Sequence, residues 1–314
     1  MKVEVTRIRD VAEDVRSLEL RAVGGGELPT AEAGSHIRVE VTLEGASTER
    51  HYSVTSSAGD RSRYEIAVLR EEDGRGGSAY MHEGVNEGDL LEISPPRNDF
   101  PLLDGEGHSV LIAGGIGITA ILAMLRRLES KAASFELHYA ARSRARMAYA
   151  KEVKRLAGAR GFLYASDEST DSRMDLAELL SAPAGDAHVY VCGPRRLIEG
   201  VKRAASETGW RPDQIHFEAF GARRGPDDGD IEVELAYTGS TLVVGPNQTI
   251  LDALLDAGVW APFECRRGEC GMCVTQVLGG EPDHRDVCLT EGEREQSMCT
   301  CVSRAEGSKL VLAL

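Results

Sequence analysis

Four cysteines near the carboxyl end of this chain follow a spacing that few folds can accommodate. Cys265, Cys270 and Cys273 lie close together, and Cys301 follows after a further 27 residues. A loop with three thiolates can enclose one side of a small inorganic cluster while a later strand supplies the fourth. This is the spacing of a plant-type [2Fe-2S] cluster. The sequence therefore predicts a carboxyl-terminal domain that carries such a cluster.

Two glycines in the same loop fit this interpretation. Gly268 and Gly271 would let backbone amides turn towards the cluster sulfides with no Cβ in the way. A structural zinc site would usually show two close pairs of cysteines, and buried free thiols often do no more than fill a core. The fourth ligand stays open at this point, because Cys299 and Cys301 are two residues apart and would face the same side of a strand.

Length and charge limit the classes of protein to which this chain can belong. The 314 residues, of which 42% are hydrophobic, allow two or three domains, and no apolar run is long enough to cross a bilayer. The amino terminus is charged and alternating, so we expect no signal peptide and a cytoplasmic location, where thiols stay reduced.

The net charge of −15 is spread unevenly, as −8 over residues 1–103, +3 over 104–225 and −10 over 226–314. This distribution argues against nucleic acid as a partner. The middle segment suits an anionic dinucleotide. The acidic end suits either a basic patch on a redox partner or a merely solvated surface.

Periodicity divides the chain at the same places. Residues 1–103 alternate apolar and polar positions in short stretches and predict an antiparallel barrel. Residues 104–225 alternate continuous apolar strands with helix-like segments and predict a parallel α/β domain. Residues 221–230 are rich in Gly, Arg, Asp and Pro, which predicts a linker. After it, residues 231–236 and 241–244 predict a hairpin that turns at Gly239.

Glycines end two of the predicted parallel strands. Gly114, Gly115 and Gly117 stand where the first strand gives way to a helix, and the amino terminus of that helix would favour an anion. By itself this is a weak motif, because tight turns are often glycine-rich. The segment Cys192 to Pro194 ends a later strand, and ligands of open α/β sheets collect at such ends. Together the two turns predict a dinucleotide cleft.

A second ligand region is predicted in the barrel. Arg50, His51, Tyr52 and Ser53 offer a cation, aromatic faces and a hydroxyl within four residues. The later segment Gly74-Arg75-Gly76-Gly77-Ser78 could form an amide nest for a phosphate. From the residues alone, an edge strand and an exposed hairpin explain them equally well.

These motifs, in this order, resemble the phthalate dioxygenase reductase family over the whole chain. The shared motifs are Arg50-His-Tyr-Ser, Gly74-Arg-Gly-Gly-Ser78, Pro96-Arg-Asn-Asp-Phe100, Gly114-Gly-Ile-Gly-Ile-Thr119, Cys192-Gly-Pro, His216-Phe-Glu-Ala-Phe220, the cysteine loop, His284-Arg-Asp286 and Cys301-Val-Ser-Arg-Ala. The resemblance implies a flavin-binding β-barrel over 1–103, an NAD-binding α/β domain over 104–225 and a ferredoxin β-grasp domain over 226–314.

The resemblance also implies roles for individual residues. The residues implied to bind the flavin, as FMN, are Arg50, His51, Tyr52, Ser53, Ala67, Val68, Leu69, Gly76, Gly77, Ser78, Thr119 and Phe220. Those implied to bind NAD are Gly114, Gly115, Gly117, Arg142, Cys192, Gly193 and Pro194. Thr119, Cys192 and Phe220 would border hydride transfer, and the cluster ligands would be Cys265, Cys270, Cys273 and Cys301. For His51, a partly exposed barrel histidine is the favoured interpretation. Ala120 occupies a position where relatives commonly have proline.

The function that follows is an NADH-dependent reductase, a monomer, which supplies single electrons to a Rieske oxygenase. Two alternative functions remain. The same electron transfer could serve a cytochrome P450, or the protein could be a non-enzymatic iron-sulfur carrier or redox sensor. An acid at Asp167 or Glu168 would disfavour the 2′-phosphate of NADPH, whereas Arg142 and Arg144 could accommodate it.

Overall fold

The computed structural model describes every residue except 44, 73, 75, 106, 169–172, 184 and 221–227. Arg75 of the predicted phosphate loop and most of the predicted linker therefore lie outside the described residues. Backbone contacts divide the chain into two compact units, Met1–Glu218 and Ala219–Leu314. In the described part of the chain, no helix has the length and apolar character needed to span a membrane.

The first part of unit one is an antiparallel barrel, as the alternating pattern predicted. Its strands are β1 (Lys2–Ala12), β2 (Val15–Ala22), β3 (His36–Leu43), β4 (Ala46–Ser53), β5 (Tyr64–Leu69) and β6 (Leu90–Glu92). They form a sheet of order β5-β2-β1-β6 and the hairpin β3-β4. Isolated bridges Val39–Ile93 and Val54–Ile66 join the hairpin to both ends of that sheet, so the strands follow a closed path. Helix α1 (Gly77–Ala79) and a π-helical turn (Tyr80–Gly84) lie between β5 and β6.

The barrel core explains why these strands form. Alternate side chains at the start of β1 and along β3 are almost fully buried, for example Val3 and Ile37, whereas consecutive residues of β5 are buried, Ile66 among them. A period of two with one apolar face is what a half-buried antiparallel strand requires. The core lies inside the barrel, which leaves the ends of β4 and β5 for other contacts.

The second part of unit one is a parallel sheet with helices, again as predicted. Its strands are β7 (Ser109–Gly114), β8 (Phe135–Ala141), β9 (Gly161–Ala165), β10 (His188–Gly193) and β11 (Ile215–Ala219), and its helices are α2 (Ile118–Ser130), α3 (Ala150–Ala157), α4 (Leu176–Leu179) and α5 (Arg195–Thr208). The strand order is β11-β10-β7-β8-β9. The chain order reverses between β7 and β10, which is the switch point where open α/β sheets bind ligands.

Unit two is a small mixed sheet with a helix, as predicted for a β-grasp fold. Its elements are β12 (Ile231–Leu235), β13 (Ser240–Val244), α6 (Ile250–Asp256), β14 (Val274–Gly279), β15 (Pro282–Asp283), α7 (Glu291–Arg294), β16 (Ser297–Cys299), β17 (Arg304–Ala305) and β18 (Lys309–Leu312). The main sheet has the order β13-β12-β18-β14-β16, in which β12 and β18 are parallel. Gly239 turns the first hairpin with φ +69, where a side chain would be strained.

Candidate functional site

The two glycine turns of the parallel sheet lie against each other. β7 and β10 are neighbouring strands, paired in register from Ser109–His188 to Ala113–Cys192. A Cβ on Gly193 would lie 2.9 Å from the Cα of Gly114, and a Cβ on Gly117 would collide with the carbonyl of Cys192. Only glycines permit this approach. The structure thus brings both predicted dinucleotide motifs to one edge of the sheet.

Gly115 differs from its neighbours in this turn. Its φ is +56, and the space that a Cβ would occupy has no atom within 4 Å. Gly115 is therefore needed for its backbone conformation, whereas Gly114 and Gly117 are needed because other atoms pack closely against them. Helix α2 starts immediately afterwards, so the amide groups of its first turn lie at this edge.

The predicted side chains at the same edge fall into two groups. The Thr119 hydroxyl is buried and donates to the carbonyl of Ile116 at 2.9 Å, and the Cys192 side chain has no exposure. Arg142 is exposed after β8, and its carbonyl accepts from the amide of Asp167 at 3.0 Å. This joins the carboxyl ends of β8 and β9. The predicted roles of these residues stay predictions.

Arg144 is paired at this edge, which bears on nucleotide choice. Its Nε lies 3.0 Å from Oε1 of Glu168, and Nη2 lies 3.1 Å from Oε2. This hydrogen-bonded pairing lowers the pKa of the Glu168 carboxyl. The Glu168 carboxylate thus pairs with the Arg144 guanidinium, which was predicted to accommodate a 2′-phosphate, and that role stays a prediction.

In the barrel, Arg50 lies against the glycine loop that was predicted to bind a phosphate. A Cβ on Gly77 would overlap Nε of Arg50, so the guanidinium rests directly on this backbone. Gly76 precedes helix α1 with φ +78. The Ser78 hydroxyl accepts from the amide of Glu71 at 3.1 Å, which pins the loop to the end of β5.

The rest of the Arg50 to Ser53 motif lies on β4 with distinct environments. Tyr52 is half-buried, and burial raises the pKa of its phenol. The Ser53 hydroxyl is buried and has no hydrogen-bond partner among the described residues. His51 is exposed and stacks on His36 with ring centroids 5.2 Å apart, as expected of a barrel histidine.

The predicted ring-edge contacts lie on an edge strand. β5 pairs with β2 on one side, from Val15–Leu69 to Leu20–Tyr64. On its other side the bridge Val54–Ile66 comes just before the segment Ala67 to Leu69. The carbonyl of Val68 is already bound to Nε2 of His82 at 2.8 Å. Backbone recognition of a ring at Ala67 and Leu69 therefore remains a prediction.

Phe220 belongs to the second compact unit. It follows Ala219, whose amide donates to the Glu269 carboxylate, and its side chain is 38% exposed. Its predicted contact with the flavin stays a prediction.

The cysteine loop points its backbone amides at its own sulfurs. The N–H of Arg267 donates to Sγ of Cys265 at 3.3 Å, and the amides of Glu269 and Cys270 face the same sulfur. The amide of Gly268 faces Cys301. Burial raises the pKa of Cys265 despite these amides. A row of inward N–H groups is the environment that thiolates and sulfides need.

Positive φ angles produce this loop. Arg266, Gly268 and Gly271 have φ of 55, 74 and 72. A Cβ on Gly268 would lie 2.7 Å from Cγ2 of Val302 and 2.9 Å from Cα of Asp286. A glycine is therefore needed at position 268 for two reasons, the positive φ and the close packing against Val302 and Asp286.

The four predicted thiols meet as two linked pairs. Cys265 contacts Cys270, Cys273 contacts Cys301, and Cys301 lies close enough to Cys265 to feel its charge. Hydrogen bonds from Cys299 and Cys301 lower the pKa of Cys273 to about 3. These four thiols would supply the ligands of a [2Fe-2S] cluster.

The structure separates the two thiols that the strand pattern left equivalent. Cys301 faces the loop, through Gly268 and Cys265. Cys299 contacts Cys273 and Cys288, the latter at 3.4 Å between sulfurs. These contacts support Cys301 as the fourth ligand.

The residues fit the groups that the motifs implied. Four thiols with inward amides have the donor set of a [2Fe-2S] cluster. The buried, unpartnered Ser53 hydroxyl and the Arg50–Gly77 contact offer polar groups to a flavin and its phosphate. Neither site requires a change of residue to accept its group.

Comparison with known proteins bears on the whole chain. Three family models match it: an oxidoreductase FAD-binding domain over residues 2–101, a dimethylamine monooxygenase subunit DmmA-like N-terminal domain over 92–215, and a 2Fe-2S iron-sulfur cluster binding domain over 233–306. The chain is 41% identical to vanillate O-demethylase oxidoreductase of Pseudomonas sp. (strain HR199 / DSM 7063), over 100% of both chains. A solved structure of phthalate dioxygenase reductase matches with TM-score 0.78 and 34% identity, covering 100% of this chain and 98% of that one. The chain belongs to the phthalate dioxygenase reductase-like family.

Membership in this family confirms the predicted resemblance and fold class. The protein is an oxidoreductase with a flavin-binding domain, a parallel-sheet NAD-binding domain and a carboxyl-terminal 2Fe-2S ferredoxin domain. Another family member, the heme-dependent oxidative N-demethylase beta subunit of Ectopseudomonas mendocina (strain ymp), is 39% identical over 100% of this chain and 99% of its own.

Sequence reasoning missed two features of these sites. It gave Cys288 no role, yet its sulfur lies beside Cys299, next to the cluster ligands. It also missed a polar network within unit one, in which buried Glu65 accepts from Ser17 at 2.6 Å, Arg9 at 2.7 Å and Tyr149 at 3.2 Å. No local pattern reveals these contacts, since each joins residues that are far apart in sequence.

Proposed function

We propose that this protein is an NADH-dependent reductase that holds FMN and a [2Fe-2S] cluster and delivers single electrons to a Rieske-type oxygenase. The observation that carries the proposal is the cysteine loop, whose three thiols and four inward amides meet the thiol of Cys301, in a chain that also has glycine turns at the edge of a parallel sheet. Full-length similarity to an O-demethylase oxidoreductase and to phthalate dioxygenase reductase supports an oxygenase as the acceptor.

Each site has a separate task in this proposal. Bound flavin accepts two electrons as a hydride and gives them up singly, and a bound [2Fe-2S] cluster carries one electron. Gly114, Gly117 and Gly193 would admit the dinucleotide backbone to the sheet edge, and the start of α2 would bind its phosphates. Arg50 and the Gly77 amide would hold the flavin phosphate, while Cys265, Cys270, Cys273 and Cys301 would ligate iron.

The proposal needs no side chain to act as an acid or base. The residues orient the groups, exclude water from them and set their potentials. FMN is proposed over FAD on the family resemblance, and the Arg50–Gly77 contact supports one phosphate site there. Chromatography of the flavin released by heat identifies it, and FAD in the extract would contradict this choice.

Three further parts of the proposal concern organisation. The domain boundaries 1–103, 104–225 and 226–314 are supported at two places by the matched family ranges 2–101 and 233–306, which lie within the first and third domains. The compact units divide after Glu218, before the proposed second boundary. A monomer is proposed and is checked by sedimentation equilibrium. A cytoplasmic location is supported by the seven cysteines, none of which forms a disulfide in the described part of the chain.

The decisive experiment adds NADH anaerobically to the purified holoprotein and then adds an oxidised Rieske oxygenase. We expect the flavin absorbance to bleach and the Rieske centre to become reduced. A protein whose flavin stays oxidised with NADH is a carrier or sensor, and the proposal fails.

A haem enzyme is the second candidate acceptor. The relative named as part of a heme-dependent N-demethylase favours it. The same assay with a cytochrome P450 in place of the Rieske protein compares the two. Faster reduction of the P450 would overturn the Rieske assignment while leaving the NADH-dependent reductase intact.

A further inference from the structure

A pair of thiols lies beside the cluster ligands and has no part in the proposed electron relay. Sγ of Cys288 and Sγ of Cys299 are 3.4 Å apart. Four other cysteines account for the cluster, so these two are not needed to bind iron. Their sulfurs and a carboxylate oxygen of Asp286 lie within 4.8 Å of one another.

The two thiols differ in access to solvent. Cys288 is partly exposed, whereas Cys299 is fully buried on β16. A small oxidant would therefore meet Cys288 first, and Cys299 is positioned to react with the product. This is the arrangement of a reactive thiol next to a resolving one.

The segment that carries Cys288 is held in place on both sides. The amide of Val287 donates to the carbonyl of Gly268 at 3.0 Å, and the amide of Leu289 donates to Oδ2 of Asp286 at 3.0 Å. Arg294 donates to the Asp286 carbonyl at 2.8 Å. The sulfurs are thus kept near each other, and a bond of about 2.05 Å needs a closure of only roughly 1.4 Å.

Cys299 also touches the cluster site. Its thiol is in hydrogen-bond contact with Cys273, one of the four ligands. Hydrogen bonds to cluster sulfurs help to set the reduction potential, and each donor stabilises the more negative, reduced state.

We propose that Cys288 and Cys299 form a modification site, which hydrogen peroxide oxidises to a disulfide and which thereby lowers the reduction potential of the adjacent cluster. Cys288 attacks the O–O bond, giving a sulfenic acid and one water. Cys299 then displaces the hydroxyl, forming the S–S bond and a second water. Two thiols lose two electrons and two hydrogens, and the peroxide gains both. The S–H that faced Cys273 is lost in the second step.

The test uses the purified full-length holoprotein, treated with a few equivalents of hydrogen peroxide and then with catalase. Free thiols are alkylated, and the protein is digested without reductant. We expect one cross-linked peptide pair joining Cys288 to Cys299, with the visible absorbance of the cluster retained. The midpoint potential of the cluster should become more negative, and dithiothreitol should restore it.

Three variants provide matched controls. Cys288→Ala should keep its untreated potential after peroxide. Cys299→Ser should form no cross-link, yet it should keep a potential closer to wild type than Cys299→Ala, because the serine hydroxyl still donates. The wild-type peptide map decides whether the bond forms even if a variant fails to fold.

Three results would overturn the proposal. The first is that both thiols remain reduced after peroxide and can still be alkylated. This outcome includes the case in which a bound metal ion such as zinc protects them from oxidation. The second is oxidation of Cys288 with Cys299 left free. The third is a cross-link that leaves the midpoint potential unchanged, which would remove the link to the cluster. None depends on which acceptor the protein serves.

Discussion

The cysteine loop and the glycine edge of the parallel sheet are built in opposite ways. In the loop, one short segment carries three thiols, the amides that face them and the positive φ angles at Gly268 and Gly271. At the edge, Gly114 and Gly193 come from strands 79 residues apart and meet only because β7 and β10 are neighbours. The first site is local in sequence, whereas the second exists only through topology.

This difference predicts how each site fails. Loss of one thiol should remove the ligand set of the loop while the fold persists. A bulkier residue at the edge should disturb two strands at once, because the backbones are already in contact. The barrel lies between these cases, since Arg50 on β4 reaches Gly77 of a loop 27 residues later.

The largest expected effect tests whether the loop depends on one precise thiol. Cys301→Ser should lose most of its iron and the visible absorbance of the cluster, because Cys301 faces Gly268 and Cys265. Cys299→Ser should retain both, since Cys299 faces Cys273 and Cys288 instead. Iron analysis and electron paramagnetic resonance of the reduced proteins measure the difference. A reversed result would make Cys299 the fourth ligand.

The next effect tests the topological site. Gly117→Ala would drive a methyl group into the carbonyl of Cys192 and separate the two turns. Overpacking of this kind costs about 1–3 kcal/mol in stability, and we expect kcat/KM for NADH to fall by roughly tenfold or more. Urea unfolding and steady-state kinetics provide the measurements.

Gly115→Ala is the matched control within the same turn. Its Cβ would meet no atom within 4 Å, and only its φ of +56 opposes the change. We expect about 1 kcal/mol of strain and a smaller kinetic loss than for Gly117→Ala. Equal losses in the two variants would show that backbone conformation, and not the contact of β7 with β10, governs the site.

Prediction from sequence succeeded where information was local. The hairpin turn at Gly239 and the three-cysteine loop each follow from neighbouring residues. The buried environment of the Ser53 hydroxyl and the contact between Cys288 and Cys299 result from tertiary packing, which residue spacing does not predict.

The third prediction concerns the intermediate case in the barrel. Arg50→Ala removes the guanidinium that rests on Gly77 and should weaken FMN binding. A hydrogen bond to a charged group contributes about 1.5–3 kcal/mol, which corresponds to roughly ten- to a hundredfold in the dissociation constant. Fluorescence titration of flavin-free protein with FMN measures it.

Arg38→Ala serves as the control on the same hairpin. Arg38 lies on β3 and pairs with Glu49 at 2.9 Å, with both side chains about half exposed. Exposed pairs of this kind contribute little to stability, and we expect unchanged FMN affinity. Equal weakening by both substitutions would mean that Arg50 acts through the fold of the hairpin and not on the phosphate.

The smallest expected effect concerns nucleotide choice at the edge where β8 and β9 end. Glu168→Gln removes the carboxylate that occupies Arg144, whose pairing keeps the pKa of Glu168 low and the group charged at neutral pH. The freed guanidinium could then receive a 2′-phosphate, so relative use of NADPH over NADH should rise about two- to fivefold, a modest change because the pair is exposed.

Glu207→Gln, near the carboxyl end of α5 and so towards the opposite edge of the sheet, removes the same charge as a control. It should leave the NADPH to NADH ratio of kcat/KM unchanged. If Glu168→Gln also leaves that ratio unchanged while Arg144→Ala lowers it, then Arg144 reaches the nucleotide despite its partner. The edge of the sheet would then bind its ligand through movement of a side chain, whereas the cysteine loop uses fixed backbone amides. The two sites would therefore differ in how they recognise a ligand as well as in how they are built.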